Sequence, residues 1–401
     1  MEENNQLAYH GGAPVRESFL PYGRQFIDEQ DIQSIVQVLR SDYLTTGPTI
    51  QRLEEELAGY VQAKYTVLFS SGTAALHAAC YAAGIENGDE VITTPMTFAA
   101  SANSVLYNGG TPIFADIDPD TYNISPQAIK SQINDKTKAI MPVDFTGLPC
   151  DYDAIRSIAD EYGLTVIEDA AHALGAQYKN QPIGSLSDMT IFSFHPVKHM
   201  TTGEGGAVAT NNLAFYEKLK QFRTHGITKN REQLLDDHGP WYYEMQFLGF
   251  NYRMTDLQAA LGLSQLNKLD DFIRRRKQIV VTYQESFQHM KTITTPEELT
   301  GYESSWHLYV MRLKHQHLYA SRRTIFKALQ AENIGVNVHY IPVYYHPYYL
   351  QLGYRKGICP HAEQLYETII TLPLFPAMSD GDVADVIEAV QKVITYYSKR
   401  R

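Results

Sequence analysis

The sequence predicts an α/β protein: a mostly parallel, mixed sheet in a large domain, followed by a smaller C-terminal α+β domain. Three observations predict it. From Tyr65 onward, short apolar runs alternate with alanine-rich or amphipathic stretches, the pattern of parallel strands joined by helices on both faces of a sheet. Two of these runs end in reactive side chains, where open α/β sheets hold ligands. Near residues 270–290 the alternation stops, and a shorter mixture of strands and helices follows. A chain of 401 residues has room for both parts. The boundaries predicted are an N-terminal arm over 1–24, a large domain over 25–270 and a small domain over 271–401.

Taken in order, the arm is polar, with Gly11, Gly12, Pro14 and Pro21, while Phe19, Leu20 and Tyr22 give it something to bury. Asp28 caps a helix that carries Ile32, Ile35, Val36 and Leu39 on one face. Ser41–Pro48 is a turn-rich loop, and Ile50, Leu53 and Leu57 mark the next helix. Strands are predicted at Tyr65–Phe69, Glu90–Thr94, Thr111–Ala115, Ala139–Val143, Leu164–Ile167 and Met189–Phe194. Helices are predicted at Thr73–Ala83 and Phe98–Tyr107. After Gly206 come a strand, a helix near Asn212–Arg223 and a loop from Lys229 to Tyr243. Thr255 opens one long helix toward Gln288. The last part predicts strands at His307–Leu313 and Val336–His339, and helices at Ser321–Glu332, His361–Ile370 and Asp380–Tyr397.

Composition narrows the function. The net charge of −11 argues against nucleic acid as a partner. The basic cluster Arg274–Lys277 follows Asp270 and Asp271 and reads as a solvated helix face. No run of eighteen apolar residues predicts a membrane span, and the N-terminus lacks the basic and apolar regions of a secretory signal. Cys80, Cys150 and Cys359 are isolated, which fits a cytoplasmic protein without a disulfide framework.

The chemistry gathers between Leu164 and Gly206. One strand ends in Glu168 and Asp169. The other ends in Ser193, His195 and Pro196, which turns the chain and leaves Lys198 on the loop beyond. Thr201, Thr202, Gly203, Gly205 and Gly206 then let backbone pack closely around it. An Asp and a Lys at two strand ends suit an enzyme of pyridoxal 5′-phosphate: the lysine holds the aldehyde as a Schiff base, and the carboxylate keeps the pyridine nitrogen protonated. Lys198 and Asp169 are assigned those roles.

Ser71, Gly72 and Thr73 lie between a strand and a helix N-terminus, where free N–H groups and the helix dipole favour a phosphate. Taken alone they are an ordinary helix cap. Ser193 is a further phosphate donor, Phe98 a ring to stack on the cofactor, and His172 a donor to its phenolic oxygen or a cover for its face. Asn251 reads as a turn residue, an N-cap or another phosphate donor. Two constellations are rejected as metal sites. His195 and His199 straddle Pro196, which breaks a helical zinc pair, and Asp116, Asp118 and Asp120 lack the glycine and glutamate of a calcium loop.

Together, Ser70–Leu76, Glu90–Asn103, Glu168–Ala176, Ser193–Gly206, Gly249–Gly262 and Val336–Tyr344 resemble the DegT/StrS-type sugar-nucleotide aminotransferases, of fold type I among pyridoxal phosphate enzymes. The resemblance spans nearly the whole chain. It implies that Lys198 and Asp169 act as assigned, that Phe98 and His172 flank the cofactor ring, and that Ser71, Gly72, Thr73 and Ser193 hold the phosphate. It places Asn251 at the phosphate of the neighbouring subunit's cofactor, so it implies a homodimer with shared sites. It gives substrate contacts to Tyr22, to Asp42, Tyr43, Leu44 and Thr45, and to His339, Tyr340, Ile341 and Pro342. His172, where many members have Gln, resembles the branch that aminates UDP-linked 4-keto-6-deoxy-N-acetyl-hexosamines with L-glutamate, for surface glycans or pseudaminic acid. Members with dehydratase activity have a histidine in place of the lysine, so Lys198 implies transamination. The alternatives are another keto sugar, 3-keto or dTDP-linked, and a non-catalytic regulatory relative.

Overall fold

A computed structural model describes residues 6–398, so the first five residues of the predicted arm lie outside the described residues. A seven-stranded sheet forms the large part. Its strands in chain order are β1 (Tyr65–Phe69), β2 (Glu90–Thr93), β3 (Thr111–Phe114), β4 (Thr137–Met141), β5 (Thr165–Asp169), β6 (Met189–Ser193) and β7 (Gly206–Thr210). Their order across the sheet is β1-β7-β6-β5-β4-β2-β3. Pairings from β3 to β6 are parallel, and β7 runs antiparallel to both β1 and β6. The near-continuous burial of β5 and β6 follows from helices on both faces, which bury separate apolar clusters on either side. The predicted α/β class and mixed, mostly parallel sheet are therefore observed.

The first helix, α1 (Glu29–Leu39), starts at Asp28, whose carboxylate and that of Asp31 complete a reciprocal cap. Its apolar face is not buried as a core face would be. Ile32 and Leu39 are 47% and 56% exposed, whereas Asp31 is buried. The reason is electrostatic: Asp31 faces inward to meet Lys268 at 2.8 Å and Gln265 Nε2 at 2.8 Å. The single long helix predicted from Thr255 is two helices, Asp256–Leu266 and Leu269–Phe287. Lys268 leaves helical register between them with its amine on Asp28 and Asp31, and Asp270 and Asp271 favour a new N-terminus.

The second of these helices crosses the predicted boundary at 270 without interruption. Ile273 packs in the core beside the large sheet, while Ile279, Val280 and Tyr283 pack in a second core. That second core surrounds a three-stranded antiparallel sheet of Ile293–Thr294, Tyr309–Leu313 and Ile369–Leu372, with helices Arg322–Ala331 and Asp380–Tyr397. The arm joins it: Leu7 and Leu20 are buried there, although Phe19 remains exposed. Predicted strand Val336–His339 makes one isolated bridge, Asn337 to Thr371, and Ile369 and Ile370 belong to a strand rather than to the preceding helix. Arg276 corrects the solvated reading of its cluster. It is buried, and its guanidinium donates to the carbonyls of Trp306, His307 and Leu374.

Candidate active site

The C-terminal ends of β5 and β6, the start of helix Gly72–Ala82 and the segment Asn337–Tyr340 enclose a cavity of about 570 Å³. Tyr22, Ser71, Gly72, Thr73, Phe98, Asp169, His172, Ser193, Lys198, His339 and Tyr340 all line it. Residues separated by more than three hundred positions in the chain are thus brought to one place.

At the acidic end, Asp169 is buried, and its Oδ2 accepts the Ser101 hydroxyl at 2.6 Å while Oδ1 accepts the N–H of Ala171 at 3.1 Å. Burial raises its pKa; the two donors and the Lys198 charge oppose that rise. Lys198 sits on a turn closed by its N–H to the His195 carbonyl. Loss of solvation lowers its amine to about 8, against the pull of Asp169. About a tenth is therefore uncharged and nucleophilic at pH 7, far more than for an ordinary lysine.

His172 lines the same cavity. Its Nε2 is bonded to the Tyr340 hydroxyl at 3.0 Å, and its ring lies 4.4 Å from that of His307. Burial first, and the Lys198 charge next, push its pKa well down, so it is a neutral imidazole. His339 is held by Thr371 Oγ1 at 2.9 Å, and burial lowers it to about 3. Phe98 lies on the rim, 63% exposed, in the turn before helix Ala100–Tyr107 rather than within it.

The predicted phosphate cradle is sterically close-packed. Ser71 caps its helix by accepting from Ala74, so the N–H groups of Gly72 and Thr73 point out of the first turn. A Cβ on Gly72 would fall 3.1 Å from Ser193 Cβ and 3.2 Å from its Oγ, inside the cradle. A Cβ on Gly206 would meet the Gly72 nitrogen at 2.6 Å, so β7 closes tightly behind it. Hydroxyls, free N–H groups and a helix dipole at one end, with a carboxylate and an amine elsewhere in the wall, fit pyridoxal phosphate.

Other predicted residues lie elsewhere. Asp42, Tyr43, Leu44, Thr45 and Asn251 are exposed and outside this cavity, as are Ile341, which is exposed, and Pro342, which is buried. A bridge from Thr45 to Thr255 holds the 42–45 loop beside the segment that follows Asn251. The rejected metal sets have other partners: His199 bonds the Ser305 carbonyl while His195 is exposed, and Asp118 Oδ1 accepts the N–H groups of Asp120 and Thr121 in a strand-end turn. Sequence reasoning missed Ser101 and His307. Ser101 lies one helical turn beyond Phe98 in a stretch already singled out; His307, read as the first residue of a strand, gave no signal.

Comparison with known proteins agrees with this geometry. Residues 25–391 match the model of the DegT/DnrJ/EryC1/StrS aminotransferase family. The spore coat polysaccharide biosynthesis protein SpsC of Bacillus subtilis is 44% identical over 94% of this chain and 98% of its own. Helicobacter pylori PseC, an aminotransferase involved in the biosynthesis of pseudoaminic acid, superposes with a TM-score of 0.88 at 33% identity, over 95% of this chain and all of its own. Spr1654 of Streptococcus pneumoniae, assigned as a sugar aminotransferase and solved in its PLP form, gives 0.88 at 34% identity, over 94% of this chain and 99% of its own. This chain belongs to the DegT/DnrJ/EryC1/StrS aminotransferase family and is a fold type I, pyridoxal phosphate-dependent sugar aminotransferase.

Proposed function

We propose that the protein transfers an amino group from L-glutamate to C4 of a UDP-linked 4-keto-6-deoxy-N-acetyl-hexosamine. That is the reaction of a UDP-4-amino-4,6-dideoxy-N-acetyl-β-L-altrosamine transaminase, in a pathway to pseudaminic acid or a related surface glycan. The observation that carries it is the convergence of Lys198, Asp169 and His172 with the phosphate cradle in one cavity. The likeness to PseC and SpsC supports the glycan setting.

Bound pyridoxal phosphate supplies an aldehyde carbon to carry nitrogen and a protonated ring to accept electrons. Asp169 holds the proton on the ring nitrogen, with Ser101 and the Ala171 N–H keeping the carboxylate ionised. The Lys198 amine, near pKa 8, would take the donor's α-proton as general base and pass it to the cofactor's C4′ carbon in the same half-reaction, and would carry a proton from C4′ to C4 of the sugar in the second. Gly72, Thr73, Ser71 and Ser193 bind the phosphate. Neutral His172, steadied by Tyr340, orients the ring, and Phe98 covers it from the rim. Tyr22 and His339, whose rings are 5.2 Å apart, face the sugar.

The working unit in this reading is a cytoplasmic homodimer. Among the described residues no helix is long and apolar enough to cross a membrane. Ile27, Ile32, Leu39, Tyr43 and Leu44 leave an apolar surface around α1 that a second copy would cover. Asn251 then reaches the partner's phosphate, and the loop Asp42–Thr45 with Ile341 and Pro342 completes the sugar site across the interface. The test is incubation with glutamate and the UDP-4-keto sugar, followed by NMR of the product. A new equatorial or axial amine at C4 is expected; amination at C3, or turnover restricted to a dTDP sugar, overturns the reading.

A further inference from the structure

Behind Asp169, on the opposite face of the sheet, two carboxyl groups are buried together. Asp144 follows β4 and Glu168 lies in β5, and both are 0% exposed. Asp144 Oδ1 accepts the Tyr152 hydroxyl at 2.7 Å and the Cys150 N–H at 2.8 Å. Glu168 Oε2 accepts the Thr190 hydroxyl at 2.7 Å. The second oxygen of each, Asp144 Oδ2 and Glu168 Oε1, is buried without a hydrogen-bond partner among the described residues, and the Glu168 charge acts on Asp144. Two ionised carboxylates cannot bond each other, since both only accept. Leaving two buried anions side by side without a cation would cost far more than retaining one proton.

We propose that Asp144 and Glu168 share one proton and together act as a positioning pair for Asp169. The proton resides on Asp144 and is donated from Oδ2 to Glu168 Oε1. The link to the site is through the backbone. Asp144 N–H donates to the Asp169 carbonyl at 3.2 Å, Val143 bridges Asp169, and Glu168 is its chain neighbour. Fixing Asp144 to Glu168 therefore locks the two strand ends that aim the Asp169 carboxylate. The groups facing the pair are Tyr152, Cys150, Thr190 and Ser187, all neutral, so one net negative charge remains buried behind Asp169. Burial and the Glu168 charge raise the Asp144 pKa well above the carboxylate range, in keeping with this assignment.

The linkage has a definite sign. A carboxyl protonated when folded and ionised when unfolded releases a proton on unfolding. Its contribution to stability is present at low pH and is lost as pH rises from the unfolded value toward the folded one, by about tenfold in the folding equilibrium per pH unit.

Asp144→Asn replaces the shared proton with an amide N–H and removes the titration. Thermal unfolding of the full-length holoenzyme should show the variant gaining on wild type by about tenfold per pH unit from pH 5.5 upward. The readout does not need turnover, so it is independent of the sugar substrate. Parallel unfolding curves at all pH values would overturn the shared proton. Asp144→Val tests positioning: it should shift the pH at which the bound cofactor changes colour, whereas Asp144→Asn should not. A lower melting temperature for Asp144→Val with that colour change unmoved would show structural support alone and overturn the positioning role. If Asp144→Val fails to fold, Glu168→Leu replaces it, since it removes the same bond from the other side; it should shift the colour titration while Glu168→Gln does not, and an unmoved titration in Glu168→Leu would overturn the positioning role.

Discussion

The Ser101 hydroxyl donates to Asp169 Oδ2 at 2.6 Å, from a helix that begins two residues after the cavity-rim Phe98. Burial alone would favour a protonated Asp169, and this bond is the largest single influence acting the other way. Ser101→Ala should therefore weaken the ionised carboxylate. A hydrogen bond to a charged group is worth about 1.5–3 kcal/mol, or roughly ten- to a hundredfold in rate if it is fully felt in the chemical step. Because a carboxylate with a raised pKa is lost on acidification, the defect should grow as pH falls. Steady-state rates from pH 6 to 8.5 check this; equal loss at every pH would show that Ser101 acts through packing alone.

Asp169→Asn goes further, because a neutral amide cannot balance a pyridinium charge. Cofactor binding should remain measurable while turnover falls by several powers of ten, at ~1.4 kcal/mol per tenfold. Near-normal turnover would mean that another group keeps the ring protonated.

Lys198 gives a pH signature of its own. Its amine is lowered to about 8 by burial, and the uncharged form is the nucleophile. The rate at which cofactor-free protein takes up pyridoxal phosphate should rise with pH and level off above about 8. Stopped-flow absorbance from pH 6.5 to 10 measures it. An inflection near the ordinary lysine value would mean that burial has no hold on this amine.

Lys198 and Asp169 were legible as cavity neighbours because Asp169 ends one apolar strand and Lys198 follows the end of the next, and the carboxyl ends of the strands are where such folds bind ligands. The helix N-terminus proposed to hold the phosphate was legible because Ser71-Gly72-Thr73 joins a strand to a helix. The missed features depend on contacts between distant segments. Nothing local announces that Ser101 meets Asp169 or that the His307 ring lies against that of His172. Arg276 looked solvated because its neighbours are charged, yet three backbone carbonyls draw it inward. The break at Lys268 depends on carboxylates some 240 positions earlier, which no periodicity reports.

The exposed face of α1 carries a prediction about assembly. Leu39→Asp or Ile32→Asp should leave the fold intact, since both side chains are about half exposed in one chain. Either should convert a dimer to a monomer in light scattering and abolish activity, because a charge is costly to bury without a partner. A dimer that survives both substitutions places the interface elsewhere.

Sharing of sites can be read from mixed subunits. Asn251 is exposed and lies outside the cavity of its own chain. If it serves the partner, mixing Lys198→Ala with Asn251→Ala puts both lesions in one site and none in the other. Activity should return to about half of the wild-type value per mixed dimer by site counting. Absence of recovery, with subunit exchange verified and Asn251→Ala inactive alone, would show that Asn251 acts within its own chain.

The central claim is that Lys198 holds the cofactor and moves the proton. Borohydride treatment of the yellow holoenzyme should fix the cofactor covalently, and peptide mapping should place it on the segment that carries Lys198. Addition of L-glutamate before borohydride should remove both the colour and the label. A label on Lys220, Lys277 or any other lysine, or a label on Lys198 that glutamate leaves untouched, would contradict the account.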